Sequence, residues 1–147
     1  MNKAVLPALA LVLAAVVAFN HRVSVPRAAS GEPATVQVGD SLEAAIRAQA
    51  VDVPVRGHGV VVKLLPDDNK GSRHQRFIVR LASGGTVLIA HNIDLAGRVS
   101  SLREGDTVDF SGEYAWNVRG GVVHWTHHDP EGRHAAGWIR RGSATFQ

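Results

Sequence analysis

Cysteine is absent from the chain, which excludes a disulfide framework, a thiolate metal site and a cysteine nucleophile. Stability must therefore come from packing alone. Also missing are a glycine-rich phosphate loop, the G-x-S-x-G elbow of serine hydrolases and the helical H-E-x-x-H zinc motif. Charge of one sign is not concentrated either. The net charge of +3 and the pI near 10.0 suit anionic partners such as nucleic acid, lipid headgroups or cell-wall polymers, but this is not a histone-like charge density. The composition is otherwise that of an ordinary globular protein: 147 residues, 45% hydrophobic and 20% charged, enough for one domain and one core.

Lys3 precedes an unbroken apolar run from Ala4 to Phe19, and Asn20, His21 and Arg22 come after it. This is the pattern of a signal peptide's charged and apolar regions, and the run is shorter than the ~20 residues of a comfortable membrane span. Residues 1–20 are therefore expected to be a signal peptide cleaved after Ala18, or an uncleaved anchor that holds the chain in the inner membrane. Either way the domain is expected outside the cytoplasm, secreted, periplasmic or tethered, because Lys3 marks the cytoplasmic end. Residues 21–39, with Pro26, Ser30, Gly31 and Pro33, lack periodicity and read as a linker.

Residues 40–147 are expected to be a mainly β domain. Asp40 and Glu43 form a capping signal for a short helix over Ser41–Ala50, with Leu42, Ala45 and Ile46 at helical spacing. Pro54 separates this helix from the β-rich remainder. The run Val60–Leu65, the alternation of Phe77, Val79 and Leu81, and Thr86–Ala90 predict three strands, punctuated by Pro66–Gly71 and Ser83-Gly84-Gly85. After an irregular connection over Ile93–Leu102, Val108, Phe110, Tyr114 and Trp116 share one face of a fourth strand. Asn117–Gly121 then turns the chain into a fifth, Val122–Thr126. Five strands with a connection between the third and fourth match the order of a small OB-type barrel, with the helix outside it.

Two resemblances rest on particular residues. Gly57-His58-Gly59-Val60-Val61 and Leu102-Arg103-Glu104-Gly105-Asp106-Thr107-Val108 resemble strands of OB domains, over Gly57 to Thr126. The block His91-Asn92-Ile93-Asp94-Leu95-Ala96, the Trp116-Asn117 turn and His124-Trp125-Thr126-His127-His128-Asp129-Pro130 resemble a family of short bacterial exported proteins of unknown function. That resemblance implies no activity and no functional residues.

The densest chemical signal is the stretch His124 to His134. Its imidazoles (His124, His127, His128 and His134) and the Asp129 carboxylate are donors that suit zinc, copper, nickel or non-haem iron, so they are the candidate ligands of a divalent metal. The alternative is that they pin the last strand and tail by hydrogen bonds. In a strand His124 and His127 face opposite ways, so a shared pocket with His91 requires a bend at Asp129-Pro130. Arg73, His74, Gln75 and Arg76 are candidate anion donors; alternatively Arg73 and Arg76 pair with Asp67 and Asp68 across a hairpin mouth. His91 and Asn92 are candidate ligand residues, or a satisfied histidine and a turn cap. Trp116 and Trp125, with Tyr114, Trp138 and Phe77, would supply stacking platforms for bases or sugars beside Arg76, Arg80 and Arg119, or else fill the core.

Three functions are expected on these grounds. The first is an extracytoplasmic OB-type binding module for an anionic polymer or small ligand. The second is a metal-dependent hydrolase, with phosphodiesters as a candidate substrate, using the C-terminal cluster with His91 or Glu113 as base. The third is haem or metal carriage, on the distant similarity of His128-Asp129 to the His-Asp tail of a membrane-tethered haem chaperone.

Overall fold

The computed structural model describes residues 40–147. The leader and the linker expected over residues 1–39 lie outside the described residues. Helix α1 (Asp40–Arg47) starts one residue before the predicted Ser41 and ends before Ala50. Gln49 takes a left-handed backbone, φ 51, and the bonds Gln49 N–H to Ile46 O and Ala50 N–H to Ala45 O close a Schellman turn. The narrow apolar stripe buries Leu42 and Ala45, and at Gly57 an added Cβ would lie 2.9 Å from Leu42.

The strands are β1 (Val53–Asp68), β2 (His74–Arg80), β3 (Thr86–Asn92), β4 (Thr107–Ala115), β5 (Val122–His124), β6 (Trp138–Arg141) and β7 (Ala144–Phe146). Their order is β1-β2-β3-β5-β4-β6-β7, and a further pairing of β1 with β4 closes β1-β2-β3-β5-β4 into a five-strand ring. Every pairing in the ring is antiparallel except β3 with β5. β1 serves two partners along its length: Val53–Val60 pairs with β4 and Val60–Asp68 with β2, with irregularities at Val61/Lys63 and Leu65/Asp68. Such bulges let one long strand bend from one neighbour to the next. Pro54, read from sequence as a separator, sits where β1 has β4 on one side only, a place where a missing N–H breaks no ladder.

Strict alternation fills the ring. On β4, Val108, Phe110, Gly112 and Tyr114 point inward while Asp109, Ser111 and Glu113 face out; on β2, Gln75, Phe77 and Val79 do the same. Phe77, Val79, Ile89, Phe110, Tyr114 and Val123 are fully buried, each aliphatic or aromatic side chain contributing about 1.5–3 kcal/mol.

The fifth strand departs from expectation. It stops at His124 instead of Thr126, because Trp125 takes φ 52, a conformation rare for a bulky residue. The chain then makes an excursion, residues 125–137, and returns as the β6–β7 hairpin, which lengthens the sheet from the five predicted strands to seven. β5 and β6 share one edge of β4: β5 takes Glu113–Ala115 and β6 takes Asp109–Ser111. The crossing between them is tight. A Cβ on Gly137 would meet the Trp125 carbonyl and lie 2.7 Å from the Ser111 oxygen, both backbone atoms. Among the described residues, no helix is long and apolar enough to cross a membrane.

Candidate functional site

The residues singled out at the end of β3 are held by the fold. His91 is fully buried; its Nε2–H donates to Gly97 O at 3.1 Å, so its Nδ1 accepts from the Thr126 hydroxyl at 2.9 Å. Burial lowers its pKa, outweighing the bond to Gly97, and the ring is a neutral pin between the 93–102 connection and the root of the excursion. Asn92 Oδ1 caps the following turn through the Asp94 and Leu95 amides. Gln75, which lies within the Arg73–Arg76 stretch read as anion donors, instead pins the same connection through both amide atoms to Val99. Arg73 pairs with Asp94 at 2.7 Å, and Asp67 with Arg98. The partners proposed from sequence, Asp67 and Asp68 with Arg73 and Arg76, are therefore not the ones formed. His74 Nδ1 lies 2.9 Å from Ser72 O.

The excursion divides the C-terminal cluster: the His127 ring lies 6.5 Å from that of His91, whereas His124 and His134 both come to Glu113, one as its cross-strand partner and the other through a hydrogen bond. Asp129 is 2% exposed, shielded by its own loop, and its carboxylate accepts the Glu131, Arg133 and His134 amides. These amide bonds, that from Glu131 foremost, hold its pKa below the usual carboxylate range. His127 is buried and its Nδ1–H donates to His128 O at 2.8 Å, while His128 is exposed. His134 returns over the outer face of β4, where its Nδ1 lies 2.7 Å from Glu113 Oε1, and Trp125 stacks on its ring at 3.7 Å. The bend expected at Asp129-Pro130 is thus present, and it carries His134 towards Glu113 and the Trp125 ring.

Glu113 and His124 are direct cross-strand partners of β4 and β5, and Val53 pairs with Tyr114. That register places Asp52, just before β1, beside them. One donor atom each from Asp52, Glu113 and His124 lies within 4.8 Å of the others. His124 Nε2 is buried without a hydrogen-bond partner, alone in this among the described residues, and a group left so costs about 1–3 kcal/mol. Desolvation lowers the His124 pKa, opposed by the nearby Glu113 and Asp52 carboxylates, so the neutral ring is favoured. Asp52 carries no local signal in the sequence; only the pairing of β1 with β4 brings it to the site.

A second site lies on the outer face of β2 and β3. Leu65, Ile78 and Leu88 line an open groove of about 290 Å³, flanked by Arg76 and by Asn117 and Arg119 of the β4–β5 turn. Arg76 Nε–H donates to Pro66 O at 3.0 Å, which orients the guanidinium. Lys63 pairs with Ile78 on the same face. The aromatic platforms are elsewhere. Phe77 and Tyr114 are in the core, Trp125 is stacked on His134, and Trp116 is packed against the core with its amide donating to Ala50 O.

The chain belongs to the family described as Protein of unknown function (DUF3465), which matches residues 23–147. No curated protein matches it.

Proposed function

We propose that this chain is an OB-type binding module working outside the cytoplasm, and that it takes an anionic ligand in the groove over β2 and β3. The closed five-strand ring, with β3 and β5 parallel, supports the OB-type reading, and in that fold the second and third strands and the adjoining loops carry the ligand. The single observation behind the proposal is the groove itself, which Arg76 and Arg119 line together with the apolar Leu65, Ile78 and Leu88. Guanidinium forks bind phosphate or carboxylate oxygens bidentately. The floor offers aliphatic contact without a stacking ring, which favours a phosphate-bearing polymer gripped by its backbone over one read by its bases. The location outside the cytoplasm rests on the sequence of residues 1–20.

The test uses inorganic polyphosphate and a short single-stranded oligonucleotide, each labelled and titrated against the protein by fluorescence anisotropy. Saturable binding that weakens with added salt is expected for both, and Arg76→Ala with Arg119→Ala should weaken it at least tenfold with the melting temperature unchanged. Absence of saturable binding to either probe at low ionic strength, or binding indifferent to the double substitution, overturns the proposal.

A further inference from the structure

Apart from the groove, the outer faces of β4 and β5 assemble a set of donors that the groove does not use. Glu113 and His124 stand opposite each other in the β4–β5 register, and Asp52 is brought alongside by the β1–β4 register. The three come from separate parts of the sequence: Glu113 and His124 are fixed by ladder pairing, and Asp52 sits in the bend that leads directly into β1. Their donors lie within 4.8 Å of one another. Atoms sharing a metal at about 2.1 Å stand roughly 3 to 3.5 Å apart, so a modest rotation of Asp52, whose side chain is the exposed member, would bring the set to bonding distance. His124 independently points to a missing partner, since its buried Nε2 finds no hydrogen bond in the protein.

The surroundings resemble an outer coordination layer. Ligating carboxylates and imidazoles are usually held by a further hydrogen bond that fixes their orientation. Glu113 has such a bond, through Oε1 to His134 Nδ1 at 2.7 Å, and leaves its second oxygen to a ligand. His134 is in turn clamped by the Trp125 ring at 3.7 Å and by its amide bond to Asp129. The excursion 125–137 therefore supplies a group that holds Glu113 through one carboxylate oxygen.

We propose that Asp52, Glu113 and His124 form a three-donor site for a divalent transition-metal ion, zinc by preference, with His134 as a positioning residue for Glu113. One imidazole and two carboxylates suit zinc better than magnesium or calcium, which take oxygen donors alone. Three protein donors leave a fourth position open to water or to a ligand atom. The site lies apart from the β2–β3 groove and stands or falls without it.

The experiment is calorimetric titration of the untagged full chain with Zn²⁺ alone, repeated with excess Mg²⁺, and with Co²⁺ as an absorbance reporter of coordination. One saturable equivalent is expected, undisturbed by Mg²⁺, with a visible Co²⁺ spectrum of low coordination number. His124→Ala and Glu113→Gln should each weaken Zn²⁺ at least tenfold and abolish that spectrum. Asp52→Asn should weaken it as well, without the refolding risk of a change within a strand. His134→Gln should shift the Co²⁺ spectrum while retaining an equivalent of metal, which a purely structural role would not do. The exposed His128 and the His58–Asp109 pair are the obvious adventitious sites, so His128→Ala and His58→Ala should leave the titration unchanged. No saturable Zn²⁺ binding, or binding lost in those two variants and kept in Asp52→Asn and His124→Ala, overturns the proposal.

Discussion

Within the ring, Phe77, Val79, Ile89 and Phe110 are sealed from water and held by apolar burial. The excursion from Trp125 to Gly137 is held by a different set of forces: one carboxylate gathering backbone amides, an imidazole bonded to Glu113, and an indole stacked on that imidazole. The first kind of contact involves no ionisable side chain; the second does. The excursion brings His134 against Glu113, while the donors Asp52, Glu113 and His124 stand on or beside the ring itself.

The largest effect is expected at the ring. Replacing Phe77 by Ala removes a fully buried aromatic side chain from the centre of β2 and should cost about 3–5 kcal/mol, measured as a drop in the denaturation midpoint with unchanged slope. A loss below about 1 kcal/mol would mean that the interior is not what holds the strands together.

A smaller effect joins the two regions, because His91 bonds both the 93–102 connection and Thr126. Its folded-state pKa is lowered by burial, and that of His124 is lowered by the same cause. The unfolded chain then binds protons first as the pH falls. The contribution is complete above the unfolded histidine value of about 6.5 and declines as the pH falls below it, levelling off beneath the folded values. Melting temperatures measured downward from pH 8 should fall in that window. His91→Gln should flatten part of the slope while costing about 1–3 kcal/mol at neutral pH through the stranded Gly97 and Thr126 groups. An unchanged slope in the variant would show that His91 is not the titrating pin.

The difference between the regions also explains what the sequence disclosed. Alternation along Phe77–Arg80 and Val108–Tyr114 marks strands because inward and outward residues differ in polarity at period two, and the turn residues Gly84, Gly120 and Gly121 take positive φ where a turn requires it. Val53–Arg56 was hidden behind Pro54, and β6 and β7 behind their brevity. The candidate site was half legible. His124 and His134 stood out by composition, whereas Asp129 looked like a ligand and is instead spent on amides. Asp52 had no signal at all, being placed by register across a sequence gap that no local pattern spans.

The finest division lies inside the excursion itself. Arg133 and Glu131 form an ion pair at 3.0 Å, but both side chains are about two-thirds exposed. Water and salt screen such a pair, and holding two long side chains in one geometry costs entropy, so it is worth less than about 1 kcal/mol. The Arg133 backbone amide, in contrast, belongs to the group gathered by Asp129, and alanine in place of Arg133 keeps that amide. Arg133→Ala should therefore leave both the melting temperature and the amide exchange of residues 131–134 nearly unaltered. Asp129→Ala strands the three amides and should accelerate exchange there and open the loop to protease while the amides of β2 and β3 stay protected. Equal loosening by both substitutions would show that surface charge, and not the buried carboxylate, keeps His134 over Glu113.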